Sequence, residues 1–273
     1  MRILLSNDDG VEAEGIKALV RALSPEHQVA VCAPAHQQSG MSHAITVFDD
    51  MVVETCPDLL ALGAVEALSI TGTPTDCVKL YLEAIAPSRG EDYPDFVISG
   101  INHGGNLGTD VLYSGTVGAA LEGYMHGINT LAVSVVIDSS VSYDEAAKLV
   151  AEKLDTFITN EPSPFLLNVN FPKEFVGGVP EWRWAALGHR DYLNAYTLHK
   201  DSDRTYYRLA GEICDGDNEP STDIFAIHHG LISVTPLYDD LANVKSLRRH
   251  GLETIPRRPL IKQSIVSDVY SDF

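Results

Sequence analysis

Cysteines are few in this sequence, and they are widely separated. Four occur among the 273 residues, at Cys32, Cys56, Cys77 and Cys214, and no two of them form a C-x-x-C pair. Zinc fingers and redox dithiols require closely spaced cysteines, so the spacing argues against both kinds of site. Isolated cysteines are typical of buried free thiols in a reducing compartment. The pattern therefore predicts a soluble, cytoplasmic protein.

Basic residues and long apolar runs are also scarce. The chain has 19 Lys and Arg against 38 Asp and Glu, a formal net charge of −19. A nucleic-acid polymer is recognised by a basic surface, so no such partner is expected, although one bound divalent cation would still admit a small anionic substrate. No run approaches the roughly 18 apolar residues of a membrane span, and the run Ile3-Leu4-Leu5 ends at Asn7-Asp8-Asp9. We therefore expect neither a membrane partner nor a signal peptide.

Short apolar strands alternate with amphipathic helices over the first two thirds of the chain. Strands are predicted in the segments MRILLS, QVAVCAP, MVVET, LSITG, DFVISG, TLAVSVV and FLLNVNFP. Helices are predicted in a stripe from Ile16 to Leu23 and in the segments TPTDCVKLYLEAI, TVGAALEGYMHG and SYDEAAKLVAEKLDTFI. Thr73 with Asp76 and Ser142 with Glu145 have the spacing of capping boxes at two helix starts. The alternation predicts an α/β fold with a largely parallel sheet covered on both faces.

The pattern changes after about residue 180. The segments EWRWAAL, RTYYRLAGEI and HHGLISVTPL carry aromatic and β-branched residues between polar loops, which predicts β-hairpins. The last thirty residues contain SLRRHGLETIPRRPL, the most basic stretch of the chain, and have too few apolar residues for a core of their own. We therefore predict one structural domain overall. Its catalytic core covers residues 1–180, and a hairpin extension with a C-terminal oligomerisation arm covers residues 181–273.

Oxygen-bearing side chains follow several of the predicted strands. Asp8 and Asp9 come directly after the first strand, Ser39 and Ser42 lie in the loop after the second, and Asn102 follows DFVISG. Sites in open α/β sheets form where the carboxyl ends of the strands meet. Carboxylate, hydroxyl and amide oxygens are the ligands that Mg²⁺ or Mn²⁺ prefers, and a cation would offset the repulsion between the two adjacent aspartates. Taken alone, an NDDG segment is also typical of a solvated turn.

A possible anion site lies next to this acidic pair in the predicted fold. Ser114, Gly115 and Thr116 precede a predicted helix, whose first backbone N–H groups and dipole favour a phosphate, although such residues are also common helix caps. A cation beside an anion site is the arrangement that phosphoryl transfer to water requires. His43 and His103 lie near the same loops and are candidates for proton transfer.

Five segments together resemble one known family. MRILLSNDDG, SGMSHAIT, TGTPTDC, VISGINHGGNLGTDVLYSGTVGAALEG and ISVTPL are similar, in the same order, to the survival protein SurE family of metal-dependent nucleoside monophosphate phosphatases. The resemblance runs from residue 1 to about residue 240, and its long segment after Ile98 is highly specific. It implies a Rossmann-like three-layer core and a homodimer or homotetramer with exchanged C-terminal elements.

The resemblance also implies an activity and a set of site residues. The implied activity is hydrolysis of nucleoside 5′- and 3′-monophosphates by a metal-activated water, often with exopolyphosphatase activity on short polyphosphate. One divalent ion, Mg²⁺ or Mn²⁺, is implied to bind the four residues Asp8, Asp9, Ser39 and Asn102. The phosphate is implied to lie near Asn106 and Ser114, with Gly115 and Thr116 completing the anion loop. Asp8, Asn106 and Ser114 are the implied catalytic residues.

One departure and two alternatives accompany this interpretation. The family usually has a basic residue just before the Ser39-Gly40 pair, where this chain has Gln38, and the missing cation argues against tight binding of longer phosphate chains. A haloacid-dehalogenase-like phosphatase would form a phosphoaspartate. That chemistry uses two aspartates with one residue between them, whereas Asp8 and Asp9 are adjacent. A non-catalytic nucleotide or metal sensor is the second alternative, and it would not need a metal set beside a phosphate loop.

Overall fold

The apolar segments of the sequence form strands and helices in the predicted alternation. The computed structural model describes residues 1–216 and 218–251. The strands are β1 (Arg2–Ser6), β2 (Gln28–Pro34), β3 (Val53–Thr55), β4 (Glu66–Ile70), β5 (Phe96–His103), β6 (Asn129–Val135), β7 (Leu166–Phe171), β8 (Trp182–Trp184), β9 (Asp191–Leu193), β10 (Tyr196–Lys200), β11 (Thr205–Leu209), β12 (Glu212–Cys214) and β13 (Ile232–Leu237). The α-helices are α1 (Glu14–Leu23), α2 (Pro57–Ala61), α3 (Pro74–Leu80), α4 (Ala86–Ser88), α5 (Gly115–Met125), α6 (Tyr143–Asn160), α7 (Asp223–His228) and α8 (Val244–Arg249).

Nine strands form one sheet in the order β3-β4-β2-β1-β5-β6-β7-β13-β8. The six strands from β4 to β7 in this order run parallel, whereas β3 and β13 each pair antiparallel with their neighbour β4 or β7. The strands β1 and β5 are central and buried on both faces, which explains their continuous apolar sequences. The predicted α/β fold with a largely parallel sheet is confirmed.

Helices cover both faces of the sheet and make a three-layer core. Ile3 and Leu5 of β1 belong to the core cluster that packs under α1 and α6. Leu4, which points to the opposite face, belongs to a second cluster under α3 and α5. Alternate side chains of one strand therefore reach two different helical layers.

Two helix starts follow the capping signals of the sequence. Thr73 and Asp76 form a reciprocal capping box at α3, and Ser142 accepts a hydrogen bond from the amide of Glu145 at α6, with an N···O distance of 3.1 Å. A π-helical turn, Tyr81–Ile85, continues α3, and 3₁₀ turns cover Gly108–Tyr113 and Val176–Gly178.

The strand order creates a crevice between β1 and β5. The chain leaves β1 towards β2 on one side and later returns to pair β5 on the other side of β1. Strand orders that reverse in this way open a crevice at the carboxyl ends of the two central strands. Asp8 and Asp9 follow β1, and Asn102 lies at the end of β5, so both groups face the same crevice edge.

A bulge shapes the end of β5 beside this crevice. Three residue steps of β5, from Ser99 to Asn102, face only two steps of β6. Gly100 lies inside the bulge with φ at +141°, and a Cβ there would stand 2.3 Å from the carbonyl oxygen of Val133. Only glycine fits this approach, and the bulge ends regular pairing where the polar residues begin.

The chain after residue 180 differs partly from its prediction. The segment RTYYRLAGEI does form antiparallel ribbons, in which β11 pairs with β10 and β12 pairs with β9. The hairpin prediction is wrong for HHGLISVTPL, because His228 ends α7 and β13 joins the central sheet against β7. The segment EWRWAAL also enters that sheet, through β8. The central sheet therefore continues past residue 180, because the edge of β7 is paired by β13.

Two further expectations concern the C-terminal arm and the membrane. Of the last thirty residues, 244–251 are described and contain α8, whereas residues 252–273 lie outside the described residues. Across the described part of the chain, no helix has both the length and the apolar character needed to cross a membrane.

Candidate active site

Asp8 and Asp9 stand at the carboxyl end of β1 with different exposure. Asp8 is buried, with 4% of its surface accessible, whereas Asp9 is half-buried. The turn that carries them is held by Asn7, whose side-chain nitrogen donates to the carbonyl of Gly10 at 2.8 Å. The sequence placed these carboxylates after a strand, and the structure shows that one of them points inward.

The start of α5 lies directly against Asp8. The hydroxyl of Thr116 donates to Asp8 Oδ1 at 2.5 Å, and the Thr116 backbone amide also donates to the carboxyl. A Cβ on Gly115 would lie 2.9 Å from the Cβ of Asp8, so only glycine allows this approach. The positive end of the helix dipole therefore faces the carboxylate.

Burial changes the protonation of Asp8. Loss of contact with water raises the pKa of Asp8 to about 6, and the neighbouring charge of Asp9 adds to this effect. The hydrogen bond from Thr116 acts in the opposite direction but does not cancel it. Asp8 is therefore mostly ionised at neutral pH, and its charge is only partly stabilised.

The end of β5 supplies two contacts to this pair. The backbone amide of His103 donates to Asp9 Oδ2 at 2.9 Å, across the crevice between β1 and β5. Asn102 donates its side-chain nitrogen to the carbonyl of Gly104 at 2.7 Å. An amide group binds a cation through its oxygen, and this hydrogen bond uses only the nitrogen of Asn102.

The loop of residues 36–46, which we call the Ser39 loop, reaches the site from the end of β2. The backbone amide of Gln38 donates to the carbonyl of Asp8 at 2.7 Å, which joins the loop to the acidic turn. Ser39 is exposed, and its hydroxyl accepts a hydrogen bond from Gln37 at 3.0 Å. The structure thus brings Ser39 one residue away from a backbone contact with Asp8.

In the part of the chain that the structure describes, the acidic pair is not neutralised by a basic side chain. Among the residues that the structure describes, no Lys or Arg forms an ion pair with Asp8 or Asp9. The oxygens of Asp8, Asp9, Ser39 and Asn102 are hard donors, and this donor set fits Mg²⁺ or Mn²⁺.

A second group of potential metal ligands lies elsewhere, on the α3–α5 side of the sheet. Ligand atoms of Glu83, Glu122 and His126 lie within 4.8 Å of one another. However, Lys79 Nζ lies 2.7 Å from Glu83 Oε1 and 3.2 Å from Glu122 Oε1. The ammonium group of Lys79 already neutralises these carboxylates, so we assign no metal to the group.

The predicted phosphate loop forms the first turn of α5. The hydroxyl of Ser114 caps the helix by accepting from the amide of Val117 at 3.1 Å, and it keeps its own proton for another acceptor. Ser114, Gly115 and Thr116 are all buried against the crevice. Their position beside Asp8 places helix N-terminal donors next to the candidate cation ligands.

Asn106 belongs to a buried polar network that the sequence did not reveal. Its side-chain nitrogen donates to Ser134 Oγ at 2.9 Å, and its backbone amide donates to Asn170 Oδ1 at 2.8 Å. The side chains of Asn168 and Asn170 both donate to the carbonyl of Asn106, at 2.8 and 3.1 Å. The two asparagines alternate in the apolar segment FLLNVNFP, a signal that could have identified them.

The two candidate histidines have partners outside the acidic pair. His43 Nε2 lies 2.9 Å from Glu122 Oε2, and His103 Nδ1 lies 2.9 Å from the hydroxyl of Tyr143. Only the backbone of His103 contacts Asp9.

Comparisons with known proteins agree on one family. The family model of the survival protein SurE matches residues 3–194. The chain is 42% identical to a 5′-nucleotidase SurE of Pelotomaculum thermopropionicum over 91% of this chain and 93% of that protein. It is 44% identical to a 5′-nucleotidase SurE of Moorella thermoacetica over 89% of this chain and 92% of that protein. Its fold is similar to the crystal structure of the SurE protein from Aquifex aeolicus, with a TM-score of 0.77, 32% identity, and coverage of 91% of this chain and 98% of that chain.

The raised pKa of Asp8 gives a prediction about stability. A carboxyl whose pKa is raised in the folded chain contributes stability at low pH that is lost as the pH rises through about 6. In a chelator at pH 8, Asp8→Asn should therefore raise the free energy of unfolding by about 1–2 kcal/mol, and the gain should shrink steadily below pH 6. Urea unfolding at pH 8, 6 and 5 measures this difference.

The control is Asp155→Asn on the exposed side of α6, which should leave stability unchanged at each pH. If the Asp8→Asn protein were less stable than the native chain at pH 8, the buried Asp8 charge could not be the destabilising group that its raised pKa indicates.

Proposed function

Because this chain belongs to the survival protein SurE family, we propose that its acidic crevice is the active site of a 5′-nucleotidase. The chain is a metal-dependent nucleotide monophosphatase, and its curated relatives carry the name 5′-nucleotidase SurE. The observation that carries the location is the buried Asp8 carboxylate, which faces a helix N-terminus and has no basic partner among the described residues. Such a carboxylate is suited to hold a cation beside a bound phosphate.

We propose that Asp8, Asp9, Ser39 and Asn102 hold one divalent ion, Mg²⁺ or Mn²⁺. The free amide oxygen of Asn102 and the hydrogen bond that joins Asp9 to the end of β5 support this set. When bound, such an ion lowers the pKa of water and reduces the negative charge that the phosphoryl group presents. Asp8 is proposed to take the proton of the attacking water as well as to bind the ion, because it stands beside both.

The phosphoryl group is proposed to bind at the first turn of α5. Ser114 has a hydroxyl proton to donate, and the Gly115 amide is at the helix N-terminus, where intrahelical partners are absent. Thr116 holds Asp8 in place through its hydroxyl. These donors would orient the phosphorus for attack and stabilise the charge on its oxygens.

Asn106 is proposed to contact the same phosphate. Its amide nitrogen donates to Ser134, but a serine hydroxyl donates as well as it accepts. The opposite amide orientation would keep the bond to Ser134 and free the NH₂ group for a phosphoryl oxygen. The network with Asn168 and Asn170 fixes the Asn106 backbone for this role.

The proposed substrates are nucleoside 5′- and 3′-monophosphates, and short polyphosphate is a weaker candidate. Gln38 stands beside Ser39 where a basic side chain would attract a longer phosphate chain. We also propose a cytoplasmic location, which is supported by the free thiols of Cys32, Cys56, Cys77 and Cys214.

We further propose that the chain forms a homodimer or homotetramer through its C-terminal third. The ribbon of β10 and β11 has one apolar face, formed by the cross-strand pairs Tyr196–Leu209 and Leu198–Tyr207. These four side chains are 65%, 73%, 50% and 66% exposed in the single chain. A two-stranded ribbon with a bare apolar face is suited to packing against another subunit.

The metal site is tested by removing one carboxylate charge at a time. Asp8→Asn and Asp9→Asn should each lower phosphate release from 5′-AMP by at least about 100-fold while the fold remains intact, because both charges bind the proposed cation. A colour assay for phosphate, with added Mn²⁺ or with a chelator, measures this. Asp155→Asn is the matched control and should keep full activity. Full turnover in chelator would reject the metal requirement.

The route of attack is tested by acid-quenching the enzyme during turnover of 5′-AMP labelled in its phosphate. If water attacks phosphorus directly, the quenched protein should carry no more label than the Asp8→Asn variant does. Label on a peptide that contains Asp8 or Asp9 would instead establish a phosphoaspartate and the haloacid-dehalogenase type of chemistry.

The assembly is tested on the apolar face of the β10–β11 ribbon. Leu198→Asp should reduce the mass measured by light scattering to that of a smaller species, because it places a charge in the proposed interface. Thr197→Asp, on the opposite face of the same strand, should leave the mass unchanged. An unchanged mass for Leu198→Asp would place the interface elsewhere.

A further inference from the structure

The Ser39 loop is fixed to the protein on both sides of Ser39. On one side, the amide of Gln38 is bonded to the carbonyl of Asp8. On the other side, the amide of Ser42 donates to the carbonyl of Tyr113 at 3.0 Å, and the hydroxyl of Ser42 donates to the carbonyl of Leu112 at 2.7 Å. Ser39 itself is exposed, and Gln37 is the one hydrogen-bond partner of its hydroxyl among the described residues. Its position therefore depends on the anchors that flank it.

His43 supplies a side-chain anchor between this loop and α5. Its Nε2 lies 2.9 Å from Oε2 of Glu122, a buried residue of α5. Burial by itself raises the pKa of the Glu122 carboxyl, but the hydrogen bond from His43 and the charge of Lys79 outweigh it, so the pKa lies below its usual value. Glu122 is thus a carboxylate that accepts, and the imidazole donates to it.

The neighbours of the Glu122 carboxylate leave one of its two oxygens to His43. Lys79 of α3 lies 3.2 Å from Oε1, the oxygen that His43 does not use. His126, which directly follows the last residue of α5, is bonded through Nδ1 to the Glu122 carbonyl at 2.9 Å. The second oxygen is therefore left for His43, which is a contact between the loop and the helix that begins at the phosphate-binding turn.

The backbone of the loop also lies closely on α5. A Cβ on Gly118 would stand 2.3 Å from the carbonyl oxygen of Ser42. The loop can cross the helix this closely because Gly118 has no side chain. This contact and the His43–Glu122 pair lie one helical turn apart on the same side of α5.

We propose that His43 and Glu122 act as a clamp that fixes the Ser39 loop to α5, so that a cation ligand and the phosphate-binding turn are positioned as one unit. The proposal rests on the proposed function, since it assigns positioning residues to that site. His43 acts through Ser39 and does not contact the reacting atoms. The clamp explains why this histidine is directed to a buried carboxylate and away from the acidic pair.

The test compares His43→Ala with His43→Gln, whose side-chain amide can still donate to Glu122. The first measurement is hydrogen–deuterium exchange of the amides of Ser42 and Thr46, both of which are hydrogen-bonded in the closed loop. The second is Mn²⁺ binding by calorimetry without substrate, followed by kcat and KM for 5′-AMP at saturating Mn²⁺. His189→Ala is the matched control, because His189 forms a similar pair with Asp191 at 3.0 Å outside the site.

His43→Ala should speed exchange in the loop and weaken Mn²⁺ binding, each by about tenfold, while kcat at saturating Mn²⁺ changes less than about threefold. His43→Gln should recover most of both losses, and His189→Ala should change neither. Gly118→Ala keeps the imidazole of His43 but pushes the loop backbone at Ser42 and His43 from the helix, so it should reproduce the effects of His43→Ala.

Several outcomes would overturn the clamp. Unchanged loop exchange in His43→Ala would do so, as would faster exchange with unchanged Mn²⁺ binding, or equal losses in His43→Ala and His189→Ala. If the native chain released no phosphate, the proposed function would be rejected. Faster loop exchange in His43→Ala would, even then, support the contact between the loop and α5.

Discussion

The approach of Asp8 to the first turn of α5 is the contact on which the rest of the site depends. Asp8 and Thr116 are 108 residues apart in sequence, and their hydrogen bond joins the end of the first strand to the start of a helix packed on the sheet. Gly115 allows the approach because it has no side chain. The same contact withdraws a carboxylate from water, and the hydrogen bonds from Thr116 compensate only part of that loss. The apolar layers on both faces of the sheet stabilise the fold in spite of this charge.

The sequence predicted that Asp8, Asp9 and Asn102 would lie close together because of a general property of parallel sheets. Asp8, Asp9 and Asn102 follow strands that become neighbours, and the carboxyl ends of parallel neighbours meet at one edge. The capping box of Thr73 and Asp76 was equally predictable, because it depends only on residues three positions apart. Signals of this kind are local, or they follow from strand order alone.

What the sequence did not predict depends on contacts between distant segments. The segment HHGLISVTPL has the pattern of a strand, but nothing within it indicates that its partner is β7 and not a hairpin neighbour. The partners of Asn106 come from two other strands, and the partner of His43 lies 79 residues away on α5. The sequence shows which side chains are polar. Which group becomes the hydrogen-bond partner of each depends on the packing of distant segments.

The two margins of the central sheet have a consequence for how copies of this chain meet. The outermost strands, β3 and β8, are each only three residues long, so neither offers a long row of unpaired backbone groups to another chain. A long exposed edge strand can pair with strands of other chains repeatedly and so lead to fibrous aggregates. The apolar ribbon of β10 and β11 lies outside the central sheet, where contact between copies can close on itself by rotational symmetry. If the β10–β11 ribbon forms the proposed contact between subunits, the short edge strands and this separate ribbon together favour finite particles over open-ended polymers.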